Sequence, residues 1–202
     1  DAGKYTFVVE FAQSYLNGLT TSADLEVTYT ATLNENAKVG TASINKAQLE
    51  YGEKHNTVEK ETQTNTYKFD LVKIDGSSKK LIDGAKFELY EDADCTAAKQ
   101  VKFTKSADGK TYKVSTAEDA TGTIEVKDGK VTIEGLAKKT YYLKETQAPA
   151  GYNELTSAVE VNVAEDAVRA NVVTNDSGED TIYVSGGKAI ENNKGTILPS
   201  TG

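Results

Sequence analysis

Alternation of apolar and polar positions runs along most of the chain. KYTFVVE (4–10), DLEVTYTATL (24–33), YKFDLVKI (67–74), AKFELY (85–90), GKVTIEGL (129–136), TYYLKE (140–145) and SAVEVNV (157–163) all favour a period of two and are enriched in Val, Thr and Tyr. That pattern predicts half-buried strands. Turn clusters DGS, ADG, KDG and NDSGED fall between the runs, and many short strands joined by polar turns predict an all-β sandwich. One stretch, FAQSYLNGL (11–19), has helical spacing at Phe11, Tyr15, Leu16 and Leu19. It reads equally well as an irregular crossover.

The polar run EKHNTVEKETQTNT (53–66) interrupts the pattern and predicts a domain boundary near residue 65. The part beyond it, about 130 residues, is long enough to bury roughly two-thirds of its unfolded surface. The part before it has too few strands to pair its own sheet edges, so residues 1–65 read as the C-terminal part of a preceding, larger β-rich domain. The chain begins at Asp1 and contains no Met, which reads as a processed chain with any signal peptide removed. No apolar run reaches membrane-spanning length.

Composition then removes whole classes of function. A net charge of -8 repels phosphate backbones and anionic membranes, which argues against nucleic acid as a partner. One cysteine, Cys95, closes no internal disulfide, and one histidine, His55, builds neither a His/Cys zinc site nor a familiar triad. No phosphate-loop, dinucleotide or HExxH motif occurs. The acidic loops EDADC (91–95) and NDSGED (175–180) lack the spacing of a calcium loop, so no metal or cofactor is expected. Cys95 reads as a buried small hydrophobe, with an exposed thiol pairing between chains as the alternative, and His55 as solvent-exposed.

Candidate chemistry comes from alternation itself. In YKFDLVKID, Phe69, Leu71 and Lys73 share one strand face, so the lysine points where the leucine points. Burial lowers a lysine pKa by as much as 3–5 units, and a neutral amine is a nucleophile. In TYYLKE the inward set is Tyr141, Leu143 and Glu145, and a buried carboxyl tends to keep its proton. KAIENNKG aligns Ile190 with Asn192 and sends Asn193 to the other face. A neutral Lys73, a protonated Glu145 and the Asn192 carboxamide suffice to form an intramolecular isopeptide bond with release of ammonia. A plainer arrangement satisfies the same pattern: Lys73 curled out to solvent, Glu145 in an ion pair with it, Asn192 in a turn. Alternation does not choose between them.

YKFDLVKID, LIDGAKFELY, GKVTIEGL, YYLKETQAPAGY and IENNKGTILPSTG, in this order over residues 66–202, resemble a Cna B-type domain at the C-terminal end of a Gram-positive major pilin. The resemblance implies an immunoglobulin-like sandwich over 66–195. It also implies Lys73 as nucleophile, Glu145 of the ETxAPxGY element (the pilin E-box) as catalytic acid, and Asn192 as cross-link partner, with Asn193 the alternative. LPSTG, Leu198, Pro199, Ser200, Thr201 and Gly202, resembles an LPxTG sorting motif in a 196–202 tail, cleaved by a sortase between Thr201 and Gly202. ADLEVTYTATLNENAKVG and NKAQLEYG look like the latter half of a preceding pilin domain. There Glu53 follows Tyr51 and Gly52 where an asparagine is usual, so no second bond is carried over, and Glu26 is only a guess at an acid. The partners implied are the sortase, neighbouring pilin subunits and cell-wall peptidoglycan, in a secreted, wall-anchored fibre with no catalytic turnover. An ancillary pilin or adhesin, with this domain as a stalk beneath a head for a host surface ligand, shares every motif. A glycan-processing enzyme would need an exposed carboxylate pair, which nothing in the sequence identifies.

Overall fold

The computed structural model describes residues 5–19, 22, 24–34, 36–163, 171–174, 180–183 and 188–195. The chain divides into two compact units, Asp1–Thr32 and Leu33–Gly202. In the first, a short helix α1 (Gln13–Asn17) occupies the middle of the helical candidate, with Phe11 stacked on Tyr15. The strands expected at 4–10 and 24–33 do not form among the described residues. Phe7 and Tyr29 meet edge-on at 5.0 Å, yet no ladder runs through the described residues of either segment, and Val8, Val27 and Tyr29 are about half exposed or more. Alternation selects a face, but a strand also needs a neighbour for its backbone groups and a layer to cover that face.

The second unit opens with β1 (Ser43–Ala47), β2 (Glu50–Tyr51), β3 (His55–Asn56) and β4 (Lys60–Thr64). β1 pairs antiparallel with β4, and β2 with β3. The polar run read as a boundary therefore contains strand, and β4 is exposed along its whole length. His55 is exposed.

The sandwich follows: β5 (Tyr67–Asp75), β6 (Lys86–Tyr90), β7 (Phe103–Lys105), β8 (Thr111–Val114), β9 (Thr123–Glu125), β10 (Lys130–Leu136), β11 (Thr140–Gln147) and β12 (Val159–Asn162). β13 (Asn171–Thr174) and β14 (Asp180–Tyr183) pair with each other, and β15 (Lys188–Asn192) ends the described fold. One sheet has the order β15-β5-β10-β8-β7 and the other β12-β11-β6-β9. Phe69, Leu71, Ile133, Tyr112 and Ile190 of the first pack with Phe87, Leu89, Leu143, Tyr141 and Val161 of the second in one core. The expected immunoglobulin-like sandwich is thus the observed architecture. Between β9 and β10 the chain changes sheet through the KDG turn, where Asp128 and Gly129 both have positive φ and Lys130 N–H bonds the Lys127 carbonyl, as a type I′ turn requires.

β15 inserts beside β5 in parallel, with Ile190 opposite Lys73 and Asn192 opposite Asp75. The first and last strands of the sandwich are therefore neighbours. Among the described residues no helix is long and apolar enough to cross a membrane.

Candidate functional site

Period two carries the inward face of β5 from Phe69 and Leu71 to Lys73, whose side chain is fully buried. On the facing sheet β11 does the same from Tyr141 and Leu143 to Glu145, and beside β5 in its own sheet β15 does so from Ile190 to Asn192; Glu145 is 2% and Asn192 1% exposed. The structure brings these three side chains together. Lys73 Nζ lies 3.9 Å from Glu145 Oε1 and donates to the Ile190 carbonyl at 2.9 Å. Asn192 Nδ2 donates to Glu145 Oε2 at 2.9 Å and to the Asn153 carbonyl at 2.5 Å. The Leu155 N–H also donates to Glu145 Oε2, at 2.8 Å.

Two oxygens are left over. Glu145 Oε1 and Asn192 Oδ1 are buried without a hydrogen-bond partner. Buried acceptors in that state are rare in folded proteins, and a catalytic role is one of the explanations for them; Thr66 Oγ1, outside this cluster, shares the state. Burial also pushes the Lys73 ammonium down from 10.5 to about 8, against the raising influence of Glu145 and then Glu191. A substantial neutral fraction of Lys73 is therefore available near physiological pH.

Asn193 is exposed, and its amide lies against Gly76, where an added Cβ would come within 2.3 Å of Asn193 Oδ1. Gly76 N–H also bonds the Asn192 carbonyl at 2.9 Å. A small residue at 76 thus suits the close approach of the β5 turn to the end of β15. Gly76→Val is expected to destabilise the domain by roughly 1–3 kcal/mol, whereas Gly76→Ala, from which the exposed Asn193 amide swings aside, stays nearer the native value. Denaturant unfolding of the two variants measures the difference.

Sequence reasoning passed over the groups that hold this site. After β11 the loop 149–155 turns back over β15: Asn153 N–H bonds the Asn193 carbonyl and Gly195 N–H the Gly151 carbonyl. Tyr152 from the same loop donates its hydroxyl to Asp75 Oδ2 at 2.7 Å, and the Ser77 and Ser78 N–H groups both bond Asp75 Oδ1. Asp-Gly-Ser-Ser at a strand end is an Asx-turn pattern and was the available signal. The contributions of Asn153 and Leu155 are made by backbone, which carries no residue-type signal.

Other candidates do not join the cluster. Glu26 is exposed. Cys95 is only half-buried, at a positive φ of 51°, because it sits in a tight loop capped by Asp92, which accepts from the Thr96 N–H and hydroxyl. Among the described residues no group of three His, Cys, Asp or Glu could hold a metal ion. Leu198, Pro199, Ser200, Thr201 and Gly202 lie outside the described residues, as do 175–179.

The family model of SpaA prealbumin-like fold domains matches residues 67–178. A solved 35 kDa C-terminal fragment of a major pilin of Streptococcus agalactiae is 23% identical over 80% of this chain and 57% of that one, with a TM-score of 0.51, and has the same fold. The pilus 2b backbone protein of group B streptococcus is 32% identical, covering 83% of this chain and 57% of that one at a TM-score of 0.47. A minor pilin of Streptococcus agalactiae is 26% identical, covering 64% and 44% at 0.46. The chain thus spans about half the length of these structures. It has no significant match among curated proteins.

Proposed function

Because the chain belongs to the SpaA family of prealbumin-like fold domains, we propose that it is a structural subunit of a Gram-positive surface pilus, its sandwich closed by an isopeptide bond between Lys73 and Asn192. The observation that carries this reading is the buried trio itself: an amine of lowered basicity, a carboxyl and a carboxamide within one hydrogen-bonded cluster. Ancestry in a fibre-forming family and a site built for one-time bond formation point the same way. Nothing in the reading requires turnover.

Transfer of one proton within the Lys73–Glu145 pair gives a neutral amine and a carboxylic acid together, at no change in net charge. The Nζ lone pair then attacks Asn192 Cγ. Glu145, as the acid, polarises the carbonyl, accepts a proton from Nζ and returns one to Nδ2. The Cγ–Nδ2 bond breaks, a Cγ–Nζ bond replaces it, and ammonia leaves. Burial favours the neutral amine of Lys73 before the reaction, and the product amide carries no charge to desolvate.

On this reading residues 66–195 are the cross-linked module, 1–65 belong to a preceding pilin domain, and 196–202 are the sorting tail. A sortase would cleave between Thr201 and Gly202, passing the threonine to a neighbouring subunit or to peptidoglycan. Intact-mass spectrometry tests the bond: the native chain is expected to be lighter than its sequence by one ammonia, with Lys73→Ala, Glu145→Ala and Asn192→Ala each at full mass. A native chain at full sequence mass would rule the cross-link out.

A further inference from the structure

The loop 149–155 takes part in two of the three hydrogen bonds described for the acid and the amide, through the Leu155 N–H and the Asn153 carbonyl. With its other N–H directed to Glu145, the Asn192 carboxamide has both donors engaged, so its plane is set and its oxygen is left for the reaction. Backbone bonds tie this loop to β15, which carries the amide. They do not tie it to β5, which carries the amine. That link is made by Tyr152, whose hydroxyl reaches Asp75, two residues beyond Lys73 and opposite Asn192 in the ladder.

Asp75 is built to receive it. The side chain is 4% exposed, and hydrogen bonds from Ser78, Tyr152 and Ser77 hold its carboxyl well below the usual carboxylate range, so Tyr152 donates to a fixed anion, the stronger kind of hydrogen bond. We infer that Tyr152 and Asp75 are positioning residues for the cross-linking step, pinning the loop across β5 and β15 so that amine, acid and amide are held in register. This inference rests on the isopeptide reading and adds to it residues that touch none of the reacting atoms.

The test follows ammonia loss over time in the full chain made by cell-free translation, sampled by intact mass. Tyr152→Phe keeps the ring and removes the hydroxyl; it is expected to slow formation of the lighter species about tenfold or more. Asp75→Asn, which keeps an oxygen for the Ser77 and Ser78 N–H groups, is expected to slow it as well. Val161→Ala, a core truncation on β12, controls for general loss of stability, and hydrogen exchange on each chain reports its folded fraction. The inference predicts slow conversion in the folded Tyr152 and Asp75 variants and near-native conversion in folded Val161→Ala. Native rates in both clamp variants, or slowing in Val161→Ala equal to theirs, would overturn it while leaving the cross-link standing. A native chain that never loses ammonia would overturn both.

Discussion

Glu145→Ala is expected to be much less stable than Asn192→Ala, although neither chain forms the bond. Losing the cross-link alone restores unfolded-state freedom to a loop of about 120 residues, worth roughly 4–5 kcal/mol by analogy with a disulfide. Asn192→Ala loses that and little else, because Lys73 and Glu145 still face each other in the core. Glu145→Ala also strands the Lys73 ammonium at a fully buried position and removes the acceptor of Leu155 N–H and Asn192 Nδ2. Removing one partner of a buried pair costs about 3–5 kcal/mol more. Against a typical domain stability of about 5–15 kcal/mol, the sum leaves Glu145→Ala near the edge of folding. Denaturant titrations of the three chains give the ranking, and equal midpoints for the two variants would contradict it.

The parts of the fold that were legible are those where one strand face is buried and the other wet. β10 and β11 follow period two because Ile133 and Leu143 are excluded from water while their neighbours are not, and β5 does so over its first half, up to Leu71, beyond which both faces are buried. The same rule gives the inward parity of Lys73, Glu145 and Asn192. β1 and β4 are almost wholly exposed, so burial wrote no pattern into them. The 4–10 and 24–33 segments fail for the opposite reason: the pattern is there, but their described residues form no strand and lie largely exposed. At the site, the clamp around Asn192 was hidden because its working groups are largely main-chain N–H and C=O. Only Tyr152 and Asp75 have side chains there that sequence could have flagged.

In the absence of the bond, the buried lysine makes stability depend on alkaline pH. Lys73 sits at about 8 in the folded chain against 10.5 when unfolded, so between those values the unfolded chain holds the extra proton. Stability therefore rises with pH across that window, is at its lowest contribution below about 8, and levels off above 10.5. The gain approaches about 3 kcal/mol at 1.36 kcal/mol per pH unit. Tyrosines and the other lysines also titrate there, so the measured quantity is the difference between Asn192→Ala and the double variant Lys73→Met/Asn192→Ala. The stability of Asn192→Ala relative to the double variant is expected to rise as pH climbs from 8 to 10.5. A constant gap would mean that Lys73 keeps its ordinary basicity in the core.

The parallel pairing of β15 with β5 matters before any covalent chemistry. Tension entering at Tyr67 and leaving beyond Asn192 drags two like-directed strands lengthwise past one another, so the five register pairs from Lys188–Leu71 to Asn192–Asp75 are strained in shear and must yield together. Antiparallel neighbours loaded at one end would instead unzip pair by pair. On the proposed reading, a newly folded chain would then have a mechanical grip of its own before the Lys73–Asn192 bond forms.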